Sequence, residues 1–137
     1  MIVGLGLDIV AIDGFAVLLD APHSRFREAT FTEAELTYAQ GEAKGRPAEH
    51  LAARFAAKEA ALKALDQAAG FAGIEPDEVA LTEIEIVRDR RGRPALALHG
   101  RADRLANAVG ADRALVTLSH DGNASVAVVV FERLEGR

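Results

Sequence analysis

Cysteine and tryptophan are absent from this sequence of 137 residues, which contains one methionine and one tyrosine. The lack of cysteine excludes disulfides, thiolate metal sites and cysteine nucleophiles. Positive charge is also scarce, because 16 Lys and Arg stand against 21 Asp and Glu and give a formal net charge of -5. General nucleic-acid binding requires a dominant basic face, so this balance argues against it. An anionic ligand would have to be bound by a local cluster of Lys and Arg.

No targeting signal is evident in the apolar N-terminal run MIVGLGLDIVAIDGFAVLL. It has no Lys or Arg before its apolar part, and Asp8 and Asp13 interrupt it. These features fit neither a signal peptide nor a membrane span, so we expect a cytoplasmic protein that does not act at membranes. With 50% hydrophobic and 27% charged residues, we expect residues 1–137 to form one globular domain.

The stretch EHLAARFAAKEAALKAL, residues 49–65, predicts a central helix because no Gly or Pro interrupts it. At about 100° per residue, Leu51, Phe55, Leu62 and Leu65 share one side of this helix. A second side carries only alanines and would allow close packing against another element. Since no broad charged face remains, we expect a mostly buried helix.

Four charged residues nevertheless lie in this helix. Lys58 falls inside the Leu and Phe arc, Arg54 and Glu59 flank that arc, and Lys63 stands beside Glu59. A pair between Glu59 and Lys63 would contribute a few tenths of a kcal/mol, yet it leaves Lys58 unexplained. Alternatively, these charges form a polar site at the edge of a buried helix, facing a ligand. Spacing alone leaves both interpretations open.

The remaining pattern predicts helices and antiparallel strands around the central helix. Residues 2–10 resemble a strand in which Gly4 and Gly6 leave one face bare, as at close approaches of another backbone or a ligand. Thr32 and Glu35 form a capping box that opens a helix through about Ala39. Further helices are expected within 12–29, broken at Pro22, and over 100–109; strands over 82–87, 94–98, 114–118 and 125–131; and loops over 41–47 and 66–78. The sequence therefore predicts an α+β fold with a long helix on a mainly antiparallel sheet.

Two acids lie in apolar contexts, Asp8 on the first strand and Glu59 on the central helix. Asp8 could be merely a polar strand end or a cap. A pair of carboxylates without cysteine instead suits Mg²⁺, which takes oxygen ligands and completes its coordination with water and substrate phosphate. The cations near Glu59 and the basic segment RDRRGR, which could equally be a solvated turn, would contact the remaining phosphate charge. The pattern supports a Mg²⁺-dependent enzyme acting on a phosphate ligand.

Four blocks carry a family resemblance. GLGLDIVAI at 4–12, RFAAKEAALKAL at 54–65, GRPALALHG at 92–100 and LSHDGNASVAVVV at 118–130 occur in order. Together they resemble holo-acyl-carrier-protein synthase, the small bacterial class of 4'-phosphopantetheinyl transferases, over nearly the whole chain. The resemblance implies that family's fold and transfer of 4'-phosphopantetheine from coenzyme A to a serine of apo acyl carrier protein, releasing adenosine 3',5'-bisphosphate. It also implies a homotrimer with its sites at subunit junctions.

The resemblance assigns roles to individual residues. Asp8 and Glu59 match the acids that hold Mg²⁺ in the family, and Lys63 matches a lysine that contacts coenzyme phosphate. These three are the expected catalytic residues. Residues expected to line the coenzyme pocket, besides Lys63, are Arg54, Gly92, Arg93, Pro94, Ser119 and His120. For the base that takes the serine proton, Glu59 acting through a metal-bound water is the first candidate and Glu35 a weaker one. His120 is expected to bind the coenzyme and not to act as the base.

Two departures from the family pattern affect recognition. Gly14 stands where many members carry an Arg that contacts the carrier protein or the coenzyme, and Arg25 or Arg27 could take its place. The segment 66–78 lacks the family's short GTG-like turn. Two other functions also remain open, a Mg²⁺-dependent hydrolase of small phosphorylated metabolites and a non-catalytic trimeric scaffold.

Overall fold

Five strands and five helices form the chain, as described by a computed structural model for residues 1–41 and 44–136. The strands are β1 (Ile2–Ala11), β2 (Ile84–Arg88), β3 (Pro94–Leu98), β4 (Arg113–Asp121) and β5 (Ala124–Glu132). The helices are α1 (Ile12–Asp20), α2 (Phe26–Thr30), α3 (Glu33–Gly41), α4 (Pro47–Ala72) and α5 (Gly100–Ala108), with a 3-10 turn at Leu81–Glu83. The predicted α+β class is confirmed.

Helix α4 is longer than the sequence indicates. It has Pro47 in its first turn and ends at Ala72, where Gly73 caps it in the left-handed region with φ of 69°. The loop predicted over 66–78 is therefore wrong for residues 66–72. A helical glycine such as Gly70 costs about 1 kcal/mol relative to alanine. Burial of Ala68 and Ala69 in the core offsets that cost and lets the helix continue.

A three-stranded antiparallel sheet, in the order β1-β5-β4, packs one face against α4. Strands β4 and β5 pair as far as Asp121 and Ala124, so the turn between them is confined to Gly122 and Asn123. Both strands are consequently longer than predicted. The SH pair of residues 119 and 120 lies within β4, and not in the connecting turn.

Strands β2 and β3 form a separate two-stranded antiparallel hairpin, as predicted. Thr82, expected in a strand, instead belongs to the 3-10 turn that precedes β2. The predicted capping box opens α3, because the Thr32 backbone N–H donates to Glu35 Oε1 at 2.9 Å and the Glu35 N–H donates to Thr32 Oγ1 at 3.3 Å. The predicted loop over 41–47 includes residues 42 and 43, which lie outside the described residues.

The core extends from the α4–sheet contact to a cluster of phenylalanine rings beneath α1 and α2. Phe15 contacts Phe26, Phe31 and Phe55 with ring centroids 5.8, 6.2 and 5.4 Å away. This cluster anchors the short helices around Pro22, where the chain breaks as predicted. Within the described ranges, no helix is both long enough and apolar enough to cross a membrane.

Candidate active site

The contact between β1 and α4 is close because both sides lack bulky side chains. A Cβ atom at Gly6 would overlap the carbonyl oxygen of Ala60, and one at Gly4 would overlap that of Ala64. Only glycine therefore allows the strand to lie directly on the helix backbone. The close approach predicted from the bare glycines is confirmed, and its partner is α4.

Asp8, Glu59 and Lys63 meet where this contact ends. The Lys63 Nζ atom lies 3.1 Å from Asp8 Oδ1 and donates to the Leu7 carbonyl oxygen at 3.0 Å. Glu59 lies one helical turn before Lys63 on α4, close enough for the charges of Asp8 and Lys63 to influence its ionisation. The structure thus brings together the three residues expected to be catalytic.

Burial raises the pKa of the Glu59 carboxyl, and the negative charge of Asp8 raises it further, whereas Lys63 lowers it. A carboxylate in this position carries an unfavourable charge, which a nearby cation or a proton would relieve. The site can therefore hold a cation between two acids or accept a proton at Glu59. Lys63, with its side chain 56% exposed, remains accessible to an anionic ligand.

The donor set at this site suits a hard divalent cation. Asp8 and Glu59 offer carboxylate oxygens from two different elements, and oxygen ligands are those that Mg²⁺ prefers. Mg²⁺ is commonly bound by one or two carboxylates together with substrate phosphate and water. Among residues 1–41 and 44–136, no group of three or more His, Cys, Asp or Glu side chains comes together as a metal site.

Arg54 lies on a different face of α4. Its guanidinium carbon is 4.5 Å from the centroid of the Tyr38 ring, and its Nη1 donates to the His50 carbonyl at 3.5 Å. The residue is buried, which lowers the pKa of its guanidinium. Its Nε atom has no hydrogen-bond partner within the described part of the chain. Arg54 is thus directed toward α3 and β2 and lies apart from Asp8.

Gly92, Arg93 and Pro94 lie at the tip of the β2–β3 hairpin. Gly92 adopts a φ of 79°, in the left-handed region that favours glycine. The Arg93 Nε donates to Asp89 Oδ2 at 2.6 Å, which fixes the guanidinium against the turn. A cavity of about 370 Å³ separates this tip from β4. The basic tip is therefore ordered beside the outer edge of the three-stranded sheet.

Ser119 and His120 are exposed near the end of β4. His120 is paired with Ser125 on β5, which in turn is paired with Val10 on β1. Two strand spacings of about 4.8 Å therefore separate His120 from β1. Within one chain, the hairpin tip and the SH pair lie on the β4 side of the sheet, whereas Asp8, Glu59 and Lys63 lie on the β1 side.

Sequence reasoning missed two contacts made by α4. Gln67 accepts the backbone N–H of Leu5 at 2.9 Å and so covers the free edge of β1. Its spacing of four residues after Lys63 is a signal that could have placed it on the same side of the helix. The partner of buried Lys58 is Glu35, at 2.6 Å. The capping box already explained why Glu35 stands at its position, so no sequence pattern pointed to its second contact with Lys58.

The chain is similar to known proteins over almost its whole length. A sequence model described as the 4'-phosphopantetheinyl transferase superfamily matches residues 4–129. The holo-[acyl-carrier-protein] synthase of Geobacter sulfurreducens is 43% identical over 133 residues, covering 97% of this chain and 99% of the relative.

Solved structures agree with this similarity. The ACPS-CoA complex of Chronobacterium ammoniagenes has a TM-score of 0.80 at 40% identity, covering 96% of this chain and 98% of that chain. The holo-[acyl-carrier-protein] synthase of Neisseria meningitidis has a TM-score of 0.76 at 29% identity, over 97% of this chain and 100% of that one. In sequence and in fold, the chain belongs to the 4'-phosphopantetheinyl transferase superfamily, among the holo-[acyl-carrier-protein] synthases.

Proposed function

We propose that this chain transfers 4'-phosphopantetheine from coenzyme A to a serine of apo acyl carrier protein, depends on Mg²⁺, and releases adenosine 3',5'-bisphosphate. The observation that carries the proposal is the meeting of Asp8, Glu59 and Lys63 at the β1–α4 contact. A relative sharing 43% identity is a holo-[acyl-carrier-protein] synthase, and a structural neighbour is a complex with CoA. These similarities indicate coenzyme A and acyl carrier protein as the substrates, and the three residues offer a site for phosphoryl chemistry.

Asp8 and Glu59 are the residues that would hold Mg²⁺. They fit the ion because burial and the charge on Asp8 already raise the pKa of Glu59, and a cation would offset the repulsion between the two acids. When bound, Mg²⁺ stabilises negative charge on phosphate oxygens. Lys63 adds a second cation, since its ammonium is held at 3.1 Å from Asp8 yet is half exposed.

In the proposed reaction the serine Oγ forms a bond to the β-phosphorus of coenzyme A. The bond from that phosphorus to the bridging oxygen breaks, and adenosine 3',5'-bisphosphate leaves with this oxygen. Negative charge develops on the phosphate oxygens, where the Lys63 ammonium stabilises it. The serine proton requires a base, and Glu59 is our first candidate because it is an acid of this site and lies one helical turn from Lys63.

The other candidate bases fit less well. Glu35 is 2% exposed and pairs with Lys58 in the core, so an incoming serine could not reach it. His120 lies on the β4 side of the sheet, away from Glu59 within the same chain. We therefore assign His120 to coenzyme binding, together with Ser119 and the hairpin tip.

An assembly of several chains would complete the site. The sheet face that points away from α4 exposes Leu5, Leu7, Ile9 and Leu115 by 53, 55, 65 and 50%. Apolar faces of this kind mark interaction surfaces. We propose that this face packs against other copies in a homotrimer, in which the β4 side of one chain meets the β1 side of the next.

The carrier would dock beside α1. Val17 is 71% and Leu18 is 50% exposed on that helix, and Arg25 is exposed beyond it. Arg27 is half-buried and donates to the Leu19 carbonyl at 3.0 Å and to Asp20 at 3.2 Å, so it also has a structural role. We propose that Arg25 attracts an acidic helix of the carrier while the two apolar side chains contact it.

Salt tests this docking surface. Dissolved salt screens the attraction between exposed charges, so the Michaelis constant for the carrier should rise as NaCl is added. Arg25→Glu should raise this constant further and make it less dependent on salt. Arg104→Glu, which reverses an exposed charge on α5, is the matched control and should behave as the unchanged protein does. No response to salt, or a normal Michaelis constant for Arg25→Glu, would contradict this placement of the carrier.

Mass spectrometry of the carrier tests the function itself. The protein, coenzyme A, Mg²⁺ and an apo carrier should together yield a carrier bearing phosphopantetheine. Asp8→Asn and Glu59→Gln should each lower the rate by roughly a hundredfold or more, since each removes a proposed metal ligand. Asp103→Asn changes an exposed acid on α5 in the same way and should leave the rate unchanged.

The alternatives give different results in the same assay. A hydrolase of small phosphorylated metabolites would cleave phosphate compounds and leave the carrier unmodified. A scaffold would do neither. Near-normal turnover of both acid variants in saturating Mg²⁺ would rule out the assigned site even if the carrier is loaded.

A further inference from the structure

A fully buried ion pair involves Lys58, the residue before Glu59, and is not used by the candidate active site. The Lys58 side chain is 0% and the Glu35 side chain 1% exposed, with Nζ 2.6 Å from Oε1. Lys58 also donates to the Leu81 carbonyl at 3.0 Å. Glu35 accepts the backbone N–H groups of Thr32 at 2.9 Å and Ile86 at 3.0 Å. The pair therefore connects α4 to the start of α3, to β2 and to the 3-10 turn.

Stability alone does not account for this arrangement. Removing two charges from water is costly, and a buried ion pair replaced by apolar residues of similar volume often leaves stability unchanged or raises it. Burial lowers the pKa of the Lys58 ammonium, which shows that desolvation acts against the charge even beside Glu35. Apolar residues could not fix the orientation of the helix in the same way. Each of these hydrogen bonds constrains an angle as well as a distance, whereas apolar contacts do not.

The rotation of helix α4 about its own axis needs to be fixed in this way. Its contact with β1 consists of Gly4 and Gly6 against the backbone at Ala60 and Ala64. Its buried positions include alanines on several sides of the helix: Ala52, Ala56, Ala57, Ala60, Ala61, Ala64, Ala68 and Ala69. Small side chains distributed in this way allow close packing, yet they interlock weakly. The larger side chains of α4, Leu51, Phe55 and Leu65, also pack, but without directional bonds, so the hydrogen bonds that α4 makes help to select one rotation of the helix about its axis.

The site is sensitive to that rotation. Lys58 and Glu59 are consecutive, so their side chains leave the helix about 100° apart, and fixing one direction fixes the other. Side chains extend about 6 Å from a helix axis, so a rotation of about 10° moves a carboxylate by about 1 Å. A misplacement of about 1 Å can lower a rate on the order of a hundredfold.

We propose that Glu35 and Lys58 are a positioning pair that fixes the rotation of α4, so that Glu59 and Lys63 face Asp8. Neither residue touches the substrate in this assignment. The inference rests on the proposed function, because it takes the acids on β1 and α4 as the metal and catalytic site.

The test is a double variant, Glu35→Met with Lys58→Met, which removes both charges and keeps side chains of similar length. We expect it to fold with a lowered thermal midpoint, because Glu35→Met leaves the backbone N–H groups of Thr32 and Ile86 without their acceptor. Mn²⁺ affinity without coenzyme, measured by electron paramagnetic resonance, should weaken about tenfold or more, and kcat should fall on the order of tenfold to a hundredfold. Arg101→Met is the matched control. It breaks the surface pair of Arg101 with Glu83, of 3.4 Å, and should change neither quantity.

A second variant covers failure of the first to fold. Glu35→Gln keeps the shape of the side chain and an oxygen for the Thr32 N–H, but removes the charge that pairs with Lys58. It should fold and bind Mn²⁺ more weakly than the unchanged protein. Mn²⁺ affinity within twofold of normal in a folded variant would overturn the inference, as would failure of both variants to fold, which would make the pair a folding requirement only.

Asp8→Asn separates this inference from the function it rests on. If the unchanged protein binds Mn²⁺ and Asp8→Asn does not, the proposed metal site holds, and the double variant then decides the role of the pair. If Asp8→Asn binds Mn²⁺ as well as the unchanged protein does, the metal site itself is wrong and the pair has no site to position.

Discussion

Glu59 is an acid held where its negative charge is unfavourable. Burial raises the pKa of its carboxyl, and the charge of Asp8 raises it further, with Lys63 acting in the opposite direction. In the metal-free chain the folded state therefore binds the Glu59 proton more tightly than the unfolded chain does. This difference links the ionisation of one side chain to the stability of the whole domain.

The sign of this linkage gives a testable prediction. Below the unfolded pKa of about 4.3 the stabilising effect of the proton is fully present, and it is lost as pH rises through the raised folded pKa. The free energy of unfolding of Glu59→Gln, minus that of the unchanged protein, should therefore increase with pH over this window and then level off. Urea unfolding in EDTA at several pH values measures the difference.

Two controls define the expected result. Asp103→Asn removes an exposed acid, and its difference from the unchanged protein should stay nearly constant over the same window. Excess Mg²⁺ should reduce the advantage of Glu59→Gln if the ion binds there. A difference for Glu59→Gln that does not vary with pH in EDTA would show that the charge of Glu59 is not destabilising.

The sequence indicated some of the residues in and near the site but not all of their contacts. The acids in apolar contexts indicated Asp8 and Glu59, and the structure brings them together with Lys63 as expected, while their roles remain predictions. The apolar arc indicated a buried Lys58, which the structure confirms at 0% exposure. Its partner Glu35 could not be identified, since a pair between residues so far apart in the sequence depends on how α3 packs against α4.

At the scale of elements, the contact of β1 with α4 determines where the site forms. Gly4 and Gly6 were recognisable from the sequence as a bare strand face, but nothing in it identified the element that approaches them. The structure identifies α4, which carries Glu59 and Lys63 at the end of the same contact. The spacing between strand and helix therefore sets the distance between Asp8 and its partners.

Gly6→Ala tests this dependence. The added methyl group would overlap the backbone carbonyl of Ala60, which cannot rotate away as a flexible side chain could. We expect a loss of about 1–3 kcal/mol in the free energy of unfolding, together with weaker Mn²⁺ binding as α4 moves from Asp8. Urea unfolding and metal titration measure the two effects.

Gly14→Ala is the matched control. No atom lies within 4 Å of a Cβ placed there, and the residue belongs to α1, where alanine is favoured over glycine by up to about 1 kcal/mol. We expect this variant to be as stable as the unchanged protein or more so. A Gly6→Ala protein that matches Gly14→Ala in both stability and Mn²⁺ affinity would contradict the close contact.

The end of α4 shows why element boundaries were harder to predict. Gly70 and Gly73 lie close together after Leu65, and such glycines are typical of loops. Only Gly73 ends the helix, because it alone adopts a positive φ there. Whether Gly70 is tolerated depends on the burial of Ala68 and Ala69 against the sheet, a tertiary effect that local sequence does not contain.

At the scale of the whole molecule, one chain presents its expected pocket residues in separate places. Glu59 faces Asp8 on the β1 side, and His120 lies on the β4 side of the sheet. The exposed apolar sheet face between these sides would be covered by other copies in a trimer. The trimer and the cytoplasmic location stay predictions, because the first depends on association and the second on where the cell places the chain.

Complementation between two damaged proteins tests the shared site. If Glu59 from one chain and His120 from its neighbour serve the same site, an inactive Glu59→Gln protein and a weakened His120→Ala protein can restore each other. After the two are unfolded together and refolded as an equal mixture, about one junction in four should pair two intact halves, by counting around a closed ring. Activity should then rise to about a quarter of that of the unchanged protein, whereas each variant refolded alone should gain nothing.

A monomer by light scattering would disprove the shared site directly. Mixed trimers without regained activity would show that both residues serve the site of the same chain, and this would require the β4 side of that chain to reach its own Asp8.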